Sequence, residues 1–174
     1  MKKIIVLFLF LLVWAFVVRP PVSGGTLTSW YGVRFFADRS FHTGSDIGAP
    51  TGTPIRSISW GTVKETGHDE RGGNYVYISH LSLIETRYLH LDSISVTAGQ
   101  QVDASQLIGT MGNTGISTGS HLHYEIRVLG LPLPPHALCL PGRLVDTVGG
   151  YKFLQSKTKG EQLDRPKKTL PPAP

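Results

Sequence analysis

A chain of 174 residues, 40% of them hydrophobic, has room for one proper core, and its single cysteine, Cys139, excludes an intramolecular disulfide framework. The net charge of +5 sits on the two ends: Lys and Arg against Asp and Glu number 3 to 0 over residues 1–19, 8 to 10 over 20–150, and 6 to 2 over 151–174. A folded body with a slight acidic excess and no aromatic-basic platform argues against a nucleic-acid partner.

Lys2 and Lys3 precede an unbroken apolar run over residues 4–18, and Arg19, Pro20 and Pro21 follow it. A basic head and an apolar stretch are the marks of export. The run is shorter than the roughly 20 residues of a comfortable membrane span, which favours a cleaved signal. The small-residue site near Val22, Ser23 and Gly24 is a poor cleavage cue, which leaves an anchor open. Residues 1–24 are therefore read as a signal peptide or an N-terminal membrane anchor through 4–18. Either reading puts the protein outside the cytoplasm, in the periplasm or cell envelope, secreted or held at the inner membrane. No Cys follows the run to take an N-terminal lipid.

Residues 26–135 alternate in short apolar stretches punctuated by Gly and Asx, and show no 3.6-residue period. Strands are predicted over 26–31, 54–58, 61–66, 74–79, 84–89, 107–111 and 122–128. The pattern predicts an all-β fold: an antiparallel sandwich or partly open barrel with short loops around a groove. The prolines of 131–135 are expected to end the strand region. Residues 136–154 read as an extension of the domain, and 155–174 as a disordered, basic, Pro-rich tail. Cys139 reads as a small buried apolar residue.

Chemistry-bearing residues recur along this region. His42 and Asp46 share parity in an extended chain. Over 86–92, alternation groups Thr86, Tyr88, His90 and Asp92 against Arg87, Leu89 and Leu91. Over 121–128 it puts His121, His123, Glu125 and Arg127 on one face and Leu122, Tyr124, Ile126 and Val128 on the other. The second face suits a core and the first a groove. Two imidazoles at i and i+2 suit either two metal ligands or one ligand beside a catalytic neighbour. A hydrolytic zinc site needs three such protein ligands, imidazole or carboxylate, and one open position. Glu125 could orient an imidazole or simply be solvated. His80 is in phase with Val76 and Ile78 and reads as structural. His68 reads as a solvated loop residue, and His136 carries no signal. Tyr31, Arg34 and Asn113 are candidate substrate contacts.

The motifs at residues 42–54, 61–63, 73–76, 88–91, 109–115 and 117–126, in that order, resemble those of the lysostaphin/LytM-type zinc metallopeptidases. The resemblance covers about residues 28–135. It implies a lysostaphin-like compact antiparallel β domain with one zinc ion per chain. It further implies His42, Asp46 and His123 as metal ligands and His121 and His90 as catalytic residues. Their division between general base and oxyanion stabiliser stays open. The implied activity is endopeptidase cleavage of stem peptides or cross-links in peptidoglycan, the expected partner, by a monomer. The alternative is a metal-free module of the same fold that activates another cell-wall hydrolase. The full ligand set speaks against it. Neither the scissile bond nor a housekeeping rather than lytic role is legible.

Overall fold

The alternating stretches become a ladder of antiparallel strands in the computed structural model, which describes residues 19–34 and 41–135. The readings of 1–18, of 136–174, and of His136 and Cys139 lie outside the described residues. The strands are β1 (Thr26–Ser29), β2 (Gly32–Val33), β3 (Phe41–His42), β4 (Ser45–Gly48), β5 (Pro54–Arg56) and β6 (Gly61–Asp69). They continue as β7 (Gly73–His80), β8 (Ile84–Ile94), β9 (Gln101–Val102), β10 (Leu107–Met111), β11 (His121–Val128) and β12 (Leu131–Leu133). Among the described residues there is no α-helix, and no helix is long and apolar enough to cross a membrane.

One sheet runs β1-β4-β11-β8-β7-β6-β9, with β12 beside β11 and β10 bridging β8 and β5; β2 and β3 form a separate hairpin. This is the expected all-β architecture, an open antiparallel assembly. Each predicted strand is present. The unpredicted ones, β2, β3, β4, β9 and β12, span two to four residues, too few for alternation to register. The expectation that 131–135 ends the strand region is corrected: Leu131–Leu133 pairs with β11 through Arg127 opposite Pro132. An edge strand tolerates proline because one side of its backbone needs no ladder partner.

β8 organises the sheet. β7 covers one of its edges, from Ile84 to Leu91. On the other edge β11 pairs residues 84–89 and β10 pairs 91–94, so the partner changes at His90. The register shifts there, and His90 has φ 62°. A non-glycine residue at positive φ is uncommon and marks a constrained position. The bulge breaks the expected alternation. Leu91, not His90, follows Thr86 and Tyr88 into the core, and His90 turns to the other face beside His121.

The core is formed by Ile55, Ile58, Val63, Val76, Ile78, Tyr88, Leu91, Ile108, Met111, Leu122, Tyr124 and Ile126 with their buried neighbours. Leu122, Tyr124 and Ile126 are the apolar face of β11, as alternation required. The Tyr88 hydroxyl accepts from the Ile58 amide at 3.2 Å, and burial pushes its pKa up to about 12. His80 is inside, as expected of a structural residue. Its Nδ1 donates to the Trp60 carbonyl at 2.6 Å, and its Nε2 accepts from the Thr86 hydroxyl at 2.9 Å.

Burial lowers the His80 pKa, with the Trp60 carbonyl opposing in part. Below the ordinary imidazole value of 6.5, the unfolded chain binds a proton that folded His80 refuses. Stability should therefore fall as pH drops through that value toward the lower folded one. Urea midpoints measured between neutral and mildly acidic pH should decline less steeply for His80→Gln than for the parent.

Candidate metal centre

The register of two strands builds the site. β4 pairs β11 with Asp46 directly opposite His123 and Gly48 opposite His121. Opposed residues on antiparallel neighbours face the same side, so a carboxylate and an imidazole meet there. Gly44, in the turn before β4, allows the approach. A Cβ at Gly44 would lie 2.5 Å from the Tyr124 carbonyl oxygen and 2.9 Å from His123 Nε2. His42 reaches in from the β2–β3 hairpin. His42, Asp46 and His123 thereby form a metal-holding cluster.

The proton positions follow from the outer partners. A neutral imidazole has one N–H and one lone pair. His42 Nδ1 donates to the Trp30 carbonyl at 2.7 Å, so its Nε2 is the bare atom. His123 Nε2 faces the Glu125 carboxylate at 3.2 Å and donates to it, so its Nδ1 is bare. The Thr43 hydroxyl donates to the same Glu125 oxygen. His42 Nε2 is 3.1 Å from Asp46 Oδ1 and 3.0 Å from His123 Nδ1, and His123 Nδ1 is 2.8 Å from Asp46 Oδ1.

Two lone pairs and a carboxylate oxygen thus point at one another. Such a trio repels itself unless a cation or a proton lies between. A tetrahedral metal with ligand bonds of about 2.0–2.1 Å spaces its ligand atoms by roughly 3.3 Å, close to what is present. The residues therefore fit a divalent metal. Burial would lower the His123 pKa, but its bonds to Asp46 and Glu125 and their charges raise it on balance. Burial would raise Asp46, but the His123 and His42 bonds and charges hold it well below the usual carboxylate range.

Two further imidazoles border the trio. His121 Nδ1 donates to the Gly119 carbonyl at 2.8 Å, with the Ser117 hydroxyl at 3.1 Å, and its Nε2 lies 3.9 Å from Asp46 Oδ1. His90 Nδ1 donates to the Thr114 carbonyl at 2.8 Å. The His90 ring centroid is 4.7 Å from that of His121 and 6.1 Å from that of His123. Burial, the largest influence, lowers the His90 pKa, and the neighbouring His121 and His123 add to it against the Thr114 carbonyl.

Five of the predicted site residues, His42, Asp46, His90, His121 and His123, therefore converge. The other three stand differently. Arg34 ion-pairs with Asp46 Oδ2 at 2.9 Å, leaving Oδ1 for the trio. The Tyr31 hydroxyl donates to the Pro132 carbonyl at 2.9 Å, and its ring packs edge-on against Phe41. Asn113 is exposed on the loop whose next residue receives His90. Glu125 orients His123, the first of its two expected readings. His68 is exposed, with Nδ1 2.9 Å from Asn74 Oδ1. Sequence reasoning missed Thr43, although it lies inside the His42–Asp46 motif, and the carbonyls of Trp30, Thr114 and Gly119, which have no side-chain signature.

The model of peptidase family M23 matches residues 40–135. Peptidoglycan DD-endopeptidase ShyC of Vibrio cholerae is 45% identical over 130 residues, which are 71% of this chain and 29% of that protein. The crystal structure of a zinc-containing peptidase from Vibrio cholerae superposes with a TM-score of 0.59 and 34% identity, over 67% of this chain and 39% of that one. The catalytic domain of the prophage-encoded M23 protein EnpA from Enterococcus faecalis, crystallised as a point mutant, gives a TM-score of 0.61 and 36% identity, over 68% of this chain and 94% of that one.

Glu125 is expected to set metal affinity through His123. Partners of metal-bound imidazoles are typically worth 10- to 100-fold in affinity. Glu125→Ala should weaken divalent-metal binding by about that range in a chelator competition titration. Glu125→Gln, which keeps an acceptor, should recover part of it.

Proposed function

The chain belongs to peptidase family M23, and on that premise we propose that it is a zinc-dependent endopeptidase that cleaves peptide cross-links of bacterial peptidoglycan. It spans under a third of the length of the curated relative described above, so the activity is argued from the domain alone. The name of that relative favours a bond between two D-configured centres. The observation that carries the reading is the bare-atom trio with two further imidazoles at its border.

His42, Asp46 and His123 would hold the ion. Two nitrogens and one carboxylate oxygen suit zinc and leave a position open. When bound, zinc supplies Lewis acidity, bringing the pKa of a water toward ~7 and polarising the scissile carbonyl. His121 is the proton acceptor for the attacking water. Its Nδ1 is committed to Gly119, so its bare Nε2 faces the ligand cluster. His90 is the second imidazole, fixed through Nδ1 by Thr114 with its ring 4.7 Å from that of His121, and the proton that His121 Nε2 takes from the water is the one returned to the departing amine. Arg34 is a positioning residue that keeps Asp46 Oδ2 occupied.

Peptidoglycan as substrate places the domain outside the cytoplasm. That supports the reading of residues 1–24 as a signal peptide or an N-terminal membrane anchor through 4–18. Tyr31 and Asn113 remain proposed substrate contacts, Tyr31 through its ring face and Asn113 through its exposed amide.

The test separates ligand from catalyst. His121→Ala should abolish release of cross-linked peptides from purified peptidoglycan, with about one zinc per chain retained. His123→Ala should lose both zinc and turnover. Elemental analysis on the same samples decides, and equal metal content in the two variants would overturn the division of roles.

A further inference from the structure

The metal centre lies at one end of the sheet. At the other end five large apolar side chains are exposed: Trp60 (46%), Leu81 (38%), Leu83 (56%), Leu129 (74%) and Leu131 (69%). They are neighbours. The Leu129 amide donates to the Leu83 carbonyl at 2.9 Å, and Val128 stands opposite both Ile84 and Leu131. Trp60 and Leu81 line one shallow cleft, and the Trp60 carbonyl holds His80, the residue before Leu81. The row thus crosses the rim from the start of β6, past the β7–β8 turn, to the β11–β12 turn. His90 is six residues along β8 from Ile84, which puts the rim roughly 20 Å from the site.

The chain joins the fold at this rim. The Arg19 amide donates to the Ile58 carbonyl at 2.7 Å, the Arg56 amide donates to the Pro21 carbonyl at 2.9 Å, and Val22 bridges Ile55 antiparallel. Residues 19–22 therefore run against 55–58, and their upstream end points toward Trp60. The residue before Arg19 is Val18, the last of the apolar run, so no spacer separates that run from the rim.

We propose that this rim is the surface that the domain lays on a lipid bilayer when residues 4–18 are inserted in it. Trp at the boundary of water and hydrocarbon and exposed leucines beside it are what an interfacial contact uses. Exposed Arg19 and Arg56 flank the point of entry and suit the headgroup layer, and Asp103, in the Trp60–Leu81 cleft, is the opposing charge. The arrangement turns the metal centre away from the membrane, roughly 20 Å above the rim. This rests on the anchor reading of residues 4–18 and not on the peptide chemistry.

The test uses the full chain with Trp14→Phe and Trp30→Phe, which leaves Trp60 as the one indole. It is reconstituted in phosphatidylethanolamine–phosphatidylglycerol vesicles with or without bromine on the acyl chains near the headgroups. Trp60 emission is expected to fall roughly twofold with bromine. Adding Leu83→Ser, Leu129→Ser and Leu131→Ser should abolish that quenching, with the chain still vesicle-bound and turnover of a soluble peptide unchanged. Unquenched Trp60 in vesicle-bound protein overturns the proposal. So does blue-shifted emission insensitive to bromine, which would mean that the apolar run or a second copy covers the rim. Quenching that survives the three serines, or a mature envelope chain lacking residues 1–24, overturns it as well. Loss of peptide turnover with quenching intact would bear on the enzymatic reading alone.

Discussion

The site depends on three acceptors held against one another. His42 Nε2, Asp46 Oδ1 and His123 Nδ1 lie 2.8–3.1 Å apart, and no proton of the neutral, ionised set lies between them. Such contacts are unfavourable alone and persist because the surroundings dictate them. Each ring is locked by a bond on its far side, to Trp30 for His42 and to Glu125 for His123. The outer partner decides which nitrogen stays bare, and therefore what the inner face can bind. His90 and His121 obey the same rule through the Thr114 and Gly119 carbonyls. Backbone oxygen fixes three of the four imidazoles and a carboxylate the fourth, and that fourth is the one that presents Nδ1.

The sheet supplies these partners at the places where its regularity fails. β8 changes neighbour from β11 to β10 at His90, and the connection from β10 to β11 passes over the gap. The Thr114 carbonyl, with no ladder partner to satisfy, accepts from His90. Gly73 and Gly115 make that crossing close. Both have positive φ, and a Cβ on either would overlap the backbone of the opposing segment. A ladder without this break would leave His90 on the core face with Tyr88. The placement of His90 beside His121 and the break are one structural fact.

This explains what the sequence could convey. His121, His123 and Glu125 were legible because β11 is regular over eight residues, so period two put them on one face and Leu122, Tyr124 and Ile126 in the core. The long strands were legible for the same reason. His90 was legible as a site candidate, but the face that alternation shares out to it with Thr86 and Tyr88 is the core face, and one residue of bulge reverses every assignment after it. The β2–β3 hairpin and β4 were invisible because two to four residues show no period. The Arg34–Asp46 ion pair was hidden with them. It depends on where a short hairpin lands, not on spacing along the chain. The glycines of the 112–115 loop were read as turn punctuation, although they act as a close-packed crossing.

The outer charges also set what the inner trio can do to a substrate. Asp46 brings one negative charge and the two imidazoles none, so a dication would keep a net positive charge. Glu125 adds an anion behind His123, but Arg127 lies 3.3 Å and Arg87 4.0 Å from its Oε2. Arg34 lies on the other side of Asp46. With Glu85 2.6 Å from Arg87 these outer charges still sum to slightly positive, and they orient the trio without neutralising an ion it would hold. Arg34 keeps Asp46 Oδ2 engaged, so Oδ1 is the carboxylate atom that faces the two bare nitrogens. Held this way the carboxylate would offer one oxygen to a metal, a restraint that comes from Arg34 as much as from the strand register.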